Sequence, residues 1–450
     1  MSKTPHADTI FALSTPYGMS GVAIIRLSGS GAYSTALEIS GKSSLVTRKA
    51  TLCKLVDPVS RETLDHAVVV YFKNPESYTG EDCVEIHCHG SVAVIEALLE
   101  ALAKIKGLRL AEPGEFTRRA FENGKMDLTE AEAVADLIHA QTQLQKDQAL
   151  SQLEGNLGRL YQGWADRLRH ALAYVEAAID FADEELPDNV LSSAKDDLVI
   201  LKDDIANHLN DNRRGEMLRD GVRVAVIGAP NAGKSTLMNA LMRRDVALVS
   251  NIPGTTRDVL EGHLNIGGVP VILSDTAGLR PEQLTDEGQD GIEKEGIARA
   301  LKVAQAANIK ILVFDASQEI VTQQNTLQLV DERSILVANK WDEKAADIDE
   351  DVYIPISAKN EENLGGLLKE IERRAKEILG KTGSLSLTRK RHRIALEESL
   401  EALGRALVAP QIDLMSEDIR LAIRAIGNIT GRVDVENLLD VIFQDFCIGK

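Results

Sequence analysis

The sequence predicts a multidomain protein of class α/β and α: an N-terminal α+β domain, a discontinuous helical domain, and an inserted P-loop domain with a mostly parallel sheet. Three observations predict it. Residues 222–236 read V-R-V-A-V-I-G-A-P-N-A-G-K-S-T, an apolar β-branched run, a glycine-containing turn and a helix start. The stretch up to about Glu122 alternates strand-like apolar runs with Pro and Gly turns, whereas Leu128 to about Asn212 carries apolar residues at spacings of three and four. Helical spacing then resumes at His392–Leu407, Asp418–Ile426 and Val433–Val441, so the P-loop segment interrupts one helical domain. The expected segments are 1–122 (N-terminal), 123–218 (first helical half), 219–380 (P-loop domain) and 381–450 (second helical half).

Composition narrows the function classes. A chain of 450 residues suggests roughly three domains. Apolar residues make up 44%, ample for buried cores, and no apolar run reaches the roughly 20 residues of a membrane span. The start M-S-K-T-P-H-A-D-T lacks the basic and apolar regions of a signal peptide. Four cysteines (Cys53, Cys83, Cys88, Cys447) fit a reduced, cytoplasmic chain better than a disulfide framework. A net charge of −18 argues against sequence-independent wrapping of nucleic acid, which needs many Lys and Arg. It is compatible with a local basic patch or with binding through a second protein.

In the N-terminal segment, Thr9–Leu13 and Val22–Leu27 are apolar runs joined through Pro16, Gly18 and Gly21. Val68–Phe72 and Val84–Cys88 predict further strands, and Val92–Lys106 a helix. The run from Cys83 to His89 contains Glu85, His87, Cys88 and His89; strand alternation puts Glu85, His87 and His89 on one side and Cys88 on the other. Zinc sites pair their ligands at short spacings, with a second pair elsewhere, so a zinc site and a functional polar face are both open readings. Arg26, closing V-A-I-I-R, has a solvated strand end as its plainer alternative.

The helical segment predicts long helices near 128–160, 161–184 and 192–212, with Pro187 its only proline, packed as a bundle. Its charged faces read as solvated. The tail F-Q-D-F-C-I-G-K fits a prenylation box badly at Gly449 and Lys450, which leaves Cys447 as either a structural or a reactive thiol.

The P-loop segment carries the chemistry. Gly228, Gly233, Lys234 and Ser235 match G-x-x-x-x-G-K-[ST], with a helix expected over Leu237–Leu241. A polyphosphate needs several converging backbone N–H groups, which Asn231, Ala232, Gly233, Lys234, Ser235 and Thr236 would supply at a helix N-terminus. Lys234 would reach the β and γ phosphates, and Ser235 would ligate Mg²⁺. Downstream, Ser250, Asn251, Ile252, Pro253, Gly254, Thr255 and Thr256 form a glycine-containing loop placed to sense a γ-phosphate, with a threonine hydroxyl completing the Mg²⁺ shell.

A strand over Val271–Asp275 then leads into Asp275, Thr276, Ala277 and Gly278, where Asp275 would hold the metal through water. Asn339-Lys340-Trp341-Asp342 follows the apolar run Ile335–Val337; a carboxylate at Asp342 would accept from the guanine N1–H and N2 amino group, which adenine lacks. Ser357, Ala358 and Lys359 follow a strand expected over Val352–Ile356 and would meet the guanine O6. Four such motifs in order, each at a strand end, point to GTP. One position departs from Ras-like proteins: Leu279 stands where a glutamine orients the attacking water.

With these residues in place, the chain resembles the MnmE (TrmE) family of tRNA-modifying GTPases over essentially its whole length. The motifs are G-A-P-N-A-G-K-S-T, G-T-T-R-D, D-T-A-G-L-R, N-K-W-D, Y-T-G-E-D near Tyr78, P-G-E-F-T-R-R-A-F near Pro113, and the tail F-C-I-G-K. The resemblance implies an N-terminal folate-binding domain. It implies K⁺ bound by Asn231, Thr255 and the carbonyls of Ser250 and Ile252, acting on charge between the β and γ phosphates as an arginine finger does. The catalytic set would be Asn231, Lys234, Thr256 and a water-orienting glutamate at Glu293, with Glu287 and Glu295 as alternatives. Thr256 would join Ser235 on Mg²⁺.

The matching motifs also imply that Arg26, Glu85, Lys125 and Lys450 bind 5-formyltetrahydrofolate, with 5,10-methylenetetrahydrofolate as one-carbon donor. The implied partners are a second copy of the chain, joined through the N-terminal domains, the FAD- and NADH-binding protein MnmG in a heterotetramer or larger assembly, and tRNA. The implied chemistry is aminomethyl or carboxymethylaminomethyl addition at C5 of the wobble uridine. The rival readings are a binding switch of the ribosome-assembly kind and a one-carbon transferase that GTP only regulates.

Overall fold

The computed structural model describes residues 8–180, 190–244, 261–275, 304–345, 347–380, 385–433, 436–444, 446 and 448–449. The chain divides into two compact units, one of Met1–Ala135, Gln152–Asp166 and Ile423–Lys450, the other of Asp136–Ser151 and Arg167–Ala422.

The first unit is built on a six-stranded sheet: β1 Thr9–Leu13, β2 Ser20–Ser28, β3 Thr51–Val56, β4 Thr63–Phe72, β5 Cys83–Gly90 and β6 Leu108–Leu110, in spatial order β3-β4-β5-β2-β1-β6. All neighbours are antiparallel except β1 and β6. Helices α1 (Ala32–Ser40) and α2 (Val92–Ala103) cover one face, burying Ala36, Ile39, Ile95, Leu98 and Leu102 against Ile25, Leu27, Val69, Val84 and Ile86. Helix α3 (Glu115–Glu122) carries Arg119, wholly buried yet charge-paired with Asp8, Glu81 and Glu115. The four apolar runs anticipated from sequence lie within β1, β2, β4 and β5, while α1, β3, β6 and α3 carried no reading.

The helical stretch is divided differently from the expectation. In place of one helix over 128–160 there are α4 (Leu128–His139) and α5 (Gln143–Leu153), and α6 runs unbroken from Asn156 to Asp180 past the boundary expected at 160. Local chemistry sets both breaks. Thr142 and Gln145 form a capping box that starts α5: the Gln145 N–H donates to Thr142 Oγ1 at 3.3 Å and the Thr142 N–H to Gln145 Oε1 at 3.1 Å. Gly155 then takes φ +76°, outside the helical region, between α5 and α6. Helix α7 spans Val190–Leu209.

In the second unit, α8 (Arg214–Asp220) leads into a sheet of β7 (Val222–Gly228), β8 (Glu261–Ile266), β9 (Val269–Asp275), β10 (Ile309–Asp315), β11 (Ser334–Asn339) and β12 (Ile354–Pro355). Its order is β12-β11-β10-β7-β9-β8, parallel throughout except for the β8–β9 hairpin. Every residue of central β10 is buried, as in a sheet covered on both faces. The strand expected over Val352–Ile356 is only Ile354–Pro355: Val352 is exposed, and Pro355 has no N–H to extend the ladder. Helices α9 (Lys234–Met242) and α10 (Leu364–Leu379) pack on this sheet. The chain continues through α11 (Lys390–Val408) and α12 (Ile412–Thr430), and α13 (Glu436–Gln444) belongs to the first unit. Among the described residues, no helix is long and apolar enough to cross a membrane.

Candidate nucleotide site

Parallel pairing of β7, β10 and β11 brings the ends of all three strands to one edge of the sheet. At the end of β7, a Cβ on Gly228 would lie 2.4 Å from the Val313 carbonyl, so only glycine lets β7 approach β10 there. The chain then turns through two left-handed residues, Asn231 at φ +64° and Gly233 at φ +92°. Such a turn aims successive N–H groups into one concavity, a form that binds anions. A Cβ on Gly233 would lie 2.2 Å from Asn339 Nδ2. Helix α9 begins directly at Lys234, its N-terminal dipole facing the loop, and Lys234 Nζ donates to the carbonyls of Gly228 at 3.0 Å and Ala229 at 2.9 Å. Ser235 and Thr236 lie exposed in the first turn of α9, so the Ser235 hydroxyl fits a Mg²⁺ ligand beside a phosphate.

Asn339, buried at the end of β11, connects this loop to the next. Its Nδ2 donates to the Ala232 carbonyl at 2.8 Å, and its Oδ1 accepts from the Ala358 N–H at 3.0 Å. The Trp341 N–H donates to the Ile356 carbonyl at 3.0 Å, which fixes the loop carrying Asp342 beside the one carrying Ser357. Asp342 is exposed, and a hydrogen bond with Ser357, helped by the charge of Lys359, holds its carboxyl below the usual range. The site thus presents an ionised, exposed acceptor at Asp342, while the Ala358 N–H is taken up by Asn339.

Lys340, left-handed at φ +62°, pairs with Asp315 at the end of β10, Nζ to Oδ2 at 2.6 Å. Burial pushes the Asp315 carboxyl up, but bonds from Lys340 and Ser317 outweigh it and hold it below the usual range. Gln323 fixes the backbone beneath: its Oε1 accepts from the Asp315 N–H at 3.0 Å and its Nε2 donates to the Asp315 carbonyl at 3.1 Å. Asp315 carried no expectation from sequence. The available signal was an acidic residue closing the apolar run I-K-I-L-V-F-D, the same position in its strand as Asn339 holds in its own.

Asp275 ends β9 in register with Val226, one strand over from the P-loop. Ser250, Asn251, Ile252, Pro253, Gly254, Thr255, Thr256, Thr276, Ala277, Gly278, Leu279, Glu287, Glu293 and Glu295 lie outside the described residues, as do Cys447 and Lys450.

A second cluster lies on the sheet of the first unit. Arg26 on β2 and Glu85 on β5 are register partners: Arg26 Nη2 and Nε donate to Glu85 Oε1 at 2.9 and 3.2 Å. The Arg26 guanidinium also stands 5.3 Å from the Tyr78 ring centre and 5.8 Å from that of Phe116, so this is a half-buried paired cation and not a solvated strand end. Glu85 Oε2 lies 3.2 Å from His87 Nε2. Lys125 is not part of this cluster's bonding; its Nζ donates to the Pro75 carbonyl at 3.0 Å. The alternation of β5 buries Cys88 on the opposite face, where burial pushes its thiol up to about 11. His89 pairs instead with Asp65 at 2.8 Å. Among the described residues no group of three or more His, Cys, Asp or Glu side chains is placed to hold a metal ion.

Comparison with known proteins assigns the sequence to one family. A family model described as the GTP-binding protein TrmE N-terminus matches residues 9–125, and one described as the MnmE helical domain matches residues 128–447. The tRNA modification GTPase MnmE of Parvibaculum lavamentivorans is 48% identical over 447 residues, covering 98% of this chain and 100% of the relative. The proteins of the same name from Rickettsia rickettsii and Rickettsia bellii are 46% identical over 450 residues and 47% over 449, with the same shares covered. Two family models that together span nearly the whole chain, and full-length identity to these relatives, establish that it belongs to the MnmE family of tRNA modification GTPases.

Proposed function

We propose that this chain is a K⁺-activated GTPase that works with the FAD-dependent protein MnmG to modify C5 of the wobble uridine of certain tRNAs, using a one-carbon unit from a reduced folate. The observation that carries the nucleotide part is the Asn339 side chain, which joins the phosphate-binding turn at Ala232 to the base-recognition loop at Ala358. In that site Gly233 and the neighbouring N–H groups cradle the phosphates, Lys234 neutralises them, Ser235 and Thr256 ligate Mg²⁺, and Asp342 reads guanine. K⁺ is held by Asn231, Ser250, Ile252 and Thr255. Glu293 orients the attacking water, since Leu279 has no group to do so.

Arg26 and Glu85 form the folate site with Lys125 and Lys450, Glu85 as partner of the pterin and the cations as partners of the glutamate tail. The paired, half-buried Arg26 and Glu85 support this reading. The working unit is a cytoplasmic homodimer joined through the N-terminal segment 1–122, with the GTPase segment 219–380 set between helical halves 123–218 and 381–450. Nucleotide-driven movement of the GTPase segment is relayed through the helices to the modification chemistry.

Reconstitution tests this. The purified chain, MnmG, FAD, NADH, a reduced folate, an amine donor and unmodified tRNA are combined, and the wobble nucleoside is read by mass spectrometry. Modification with GTP and none with a non-hydrolysable analogue is the expected result. Equal modification with both would contradict a role for hydrolysis.

A further inference from the structure

The chain crosses into the GTPase segment near Gly215 and leaves it near Leu387, and the two crossings touch. A Cβ on Gly215 would lie 2.3 Å from the Leu387 carbonyl, so the backbones meet directly. Arg393, at the start of α11, ties itself to the incoming crossing three times: to the Leu209 carbonyl at 2.9 Å, to Asp211 at 2.7 Å and to Glu216 at 2.7 Å. On the other side stands Asp136, near the end of α4. Its single oxygen Oδ1 accepts from Arg219 Nε on the incoming crossing at 3.0 Å and from Arg389 Nη2 on the outgoing crossing at 2.7 Å.

The incoming crossing is itself continuous with the P-loop strand. Helix α8 ends two residues before β7, and its Leu218 is buried in the same core as Val224, Val226 and Leu237. Helix α5 holds α8 from outside: Gln145 Nε2 donates to the Arg219 carbonyl at 2.9 Å, Gln148 Nε2 to the Gly215 carbonyl at 3.2 Å, and Leu144 packs on that core.

We propose that Asp136 is the latch of this joint, a positioning residue through which the GTPase segment moves with α11 and not independently of it. A segment joined by two crossings can hinge about either one when each is anchored separately. Here one carboxylate anchors both, so turning about one crossing breaks a charge-assisted bond to the other. The half-buried setting of Asp136 and Arg389 limits the water available to replace those bonds. The proposal rests on the reading that nucleotide state moves the GTPase segment.

The test is a distance distribution in the full chain. Spin labels go on Glu332→Cys in the GTPase segment and Glu401→Cys on α11, both exposed positions, with labelled chains diluted in unlabelled protein. Pulsed EPR should give one narrow distance in the native background. Asp136→Asn should widen it about twofold, Asp136→Glu should restore a narrow peak, and GTP hydrolysis should stay within about twofold in both. Arg389→Gln, which breaks only the bond of Asp136 to the outgoing crossing, should widen the peak as well and serves if Asp136→Asn does not fold. A native width in both Asp136→Asn and Arg389→Gln would overturn the latch. A peak that keeps its position when GTP is added, with its width still set by Asp136, would support the latch and count against nucleotide-driven movement.

Discussion

Asn339 and Ala232 lie 107 positions apart in sequence, and a 2.8 Å hydrogen bond from the Asn339 side chain to the Ala232 carbonyl makes their two loops one site. The same side chain accepts from the Ala358 N–H, and all three residues are buried. Asn339→Ala strands a buried carbonyl and a buried N–H, each worth about 1–3 kcal/mol. GDP and GTP affinity, read with a fluorescent nucleotide, should fall by roughly 10- to 100-fold. Unchanged affinity would mean that the bridge is dispensable.

Base selection should rest on Asp342. The native chain should prefer GTP over ATP by a factor on the order of 10⁴, because adenine leaves the carboxylate unpaired and offers an acceptor where guanine offers a donor. In Asp342→Ala that ratio should collapse toward the order of ten, mainly through weaker GTP binding. Competition titrations against both nucleotides measure it, and a preserved ratio would assign selectivity elsewhere.

The Lys340–Asp315 pair makes a pH prediction of definite sign. The folded-state carboxyl of Asp315 is lowered, since its bonds to Lys340 and Ser317 outweigh burial. The stabilisation is therefore fully present above the unfolded value of about 3.9, and is lost as pH falls through the lower folded value. Asp315→Asn should melt below the native chain by a constant margin above about pH 5, and the margin should close below about pH 4. A margin that stays constant well below pH 4 would mean that the charge of Asp315 contributes nothing.

Folate binding should depend on the Arg26–Glu85 pair. Glu85→Gln keeps the shape of the site and a partner for Arg26 but removes the charge. Calorimetric titration with 5-formyltetrahydrofolate should show at least about a tenfold loss of affinity. Native affinity in this variant would remove Glu85 from the site.

The residues read from sequence as nucleotide contacts are ones whose type a motif demands: glycine at the left-handed Gly233, lysine at Lys234, and the N-K-W-D run from Asn339 to Asp342, so each leaves a mark in one dimension. The partner of Lys340 left only a weak mark, an acidic residue closing an apolar run, because Asp315 reaches Lys340 only through the parallel register of β10 and β11. Arg26 met Glu85 for the same kind of reason, across two strands 59 residues apart.

Strands β8 and β10 passed unremarked although β10 is buried end to end, and short edge elements such as β3 and β6 lack a long enough pattern. The helical periodicity from Leu128 onward was legible, but its division was not. The break at Gly155 and the capping box at Thr142 are single-residue events inside an otherwise helical pattern, and periodicity averages over them.

The most direct test of the account is steady-state GTP hydrolysis in KCl and in NaCl at equal ionic strength. Leu279 cannot orient a water, and Asn231 is one of the two left-handed residues of the P-loop turn. The account predicts strong stimulation by KCl and its loss in Asn231→Ala, with nucleotide binding retained. Equal, slow rates in both salts would contradict a K⁺-activated enzyme and leave a nucleotide switch that needs an external activator.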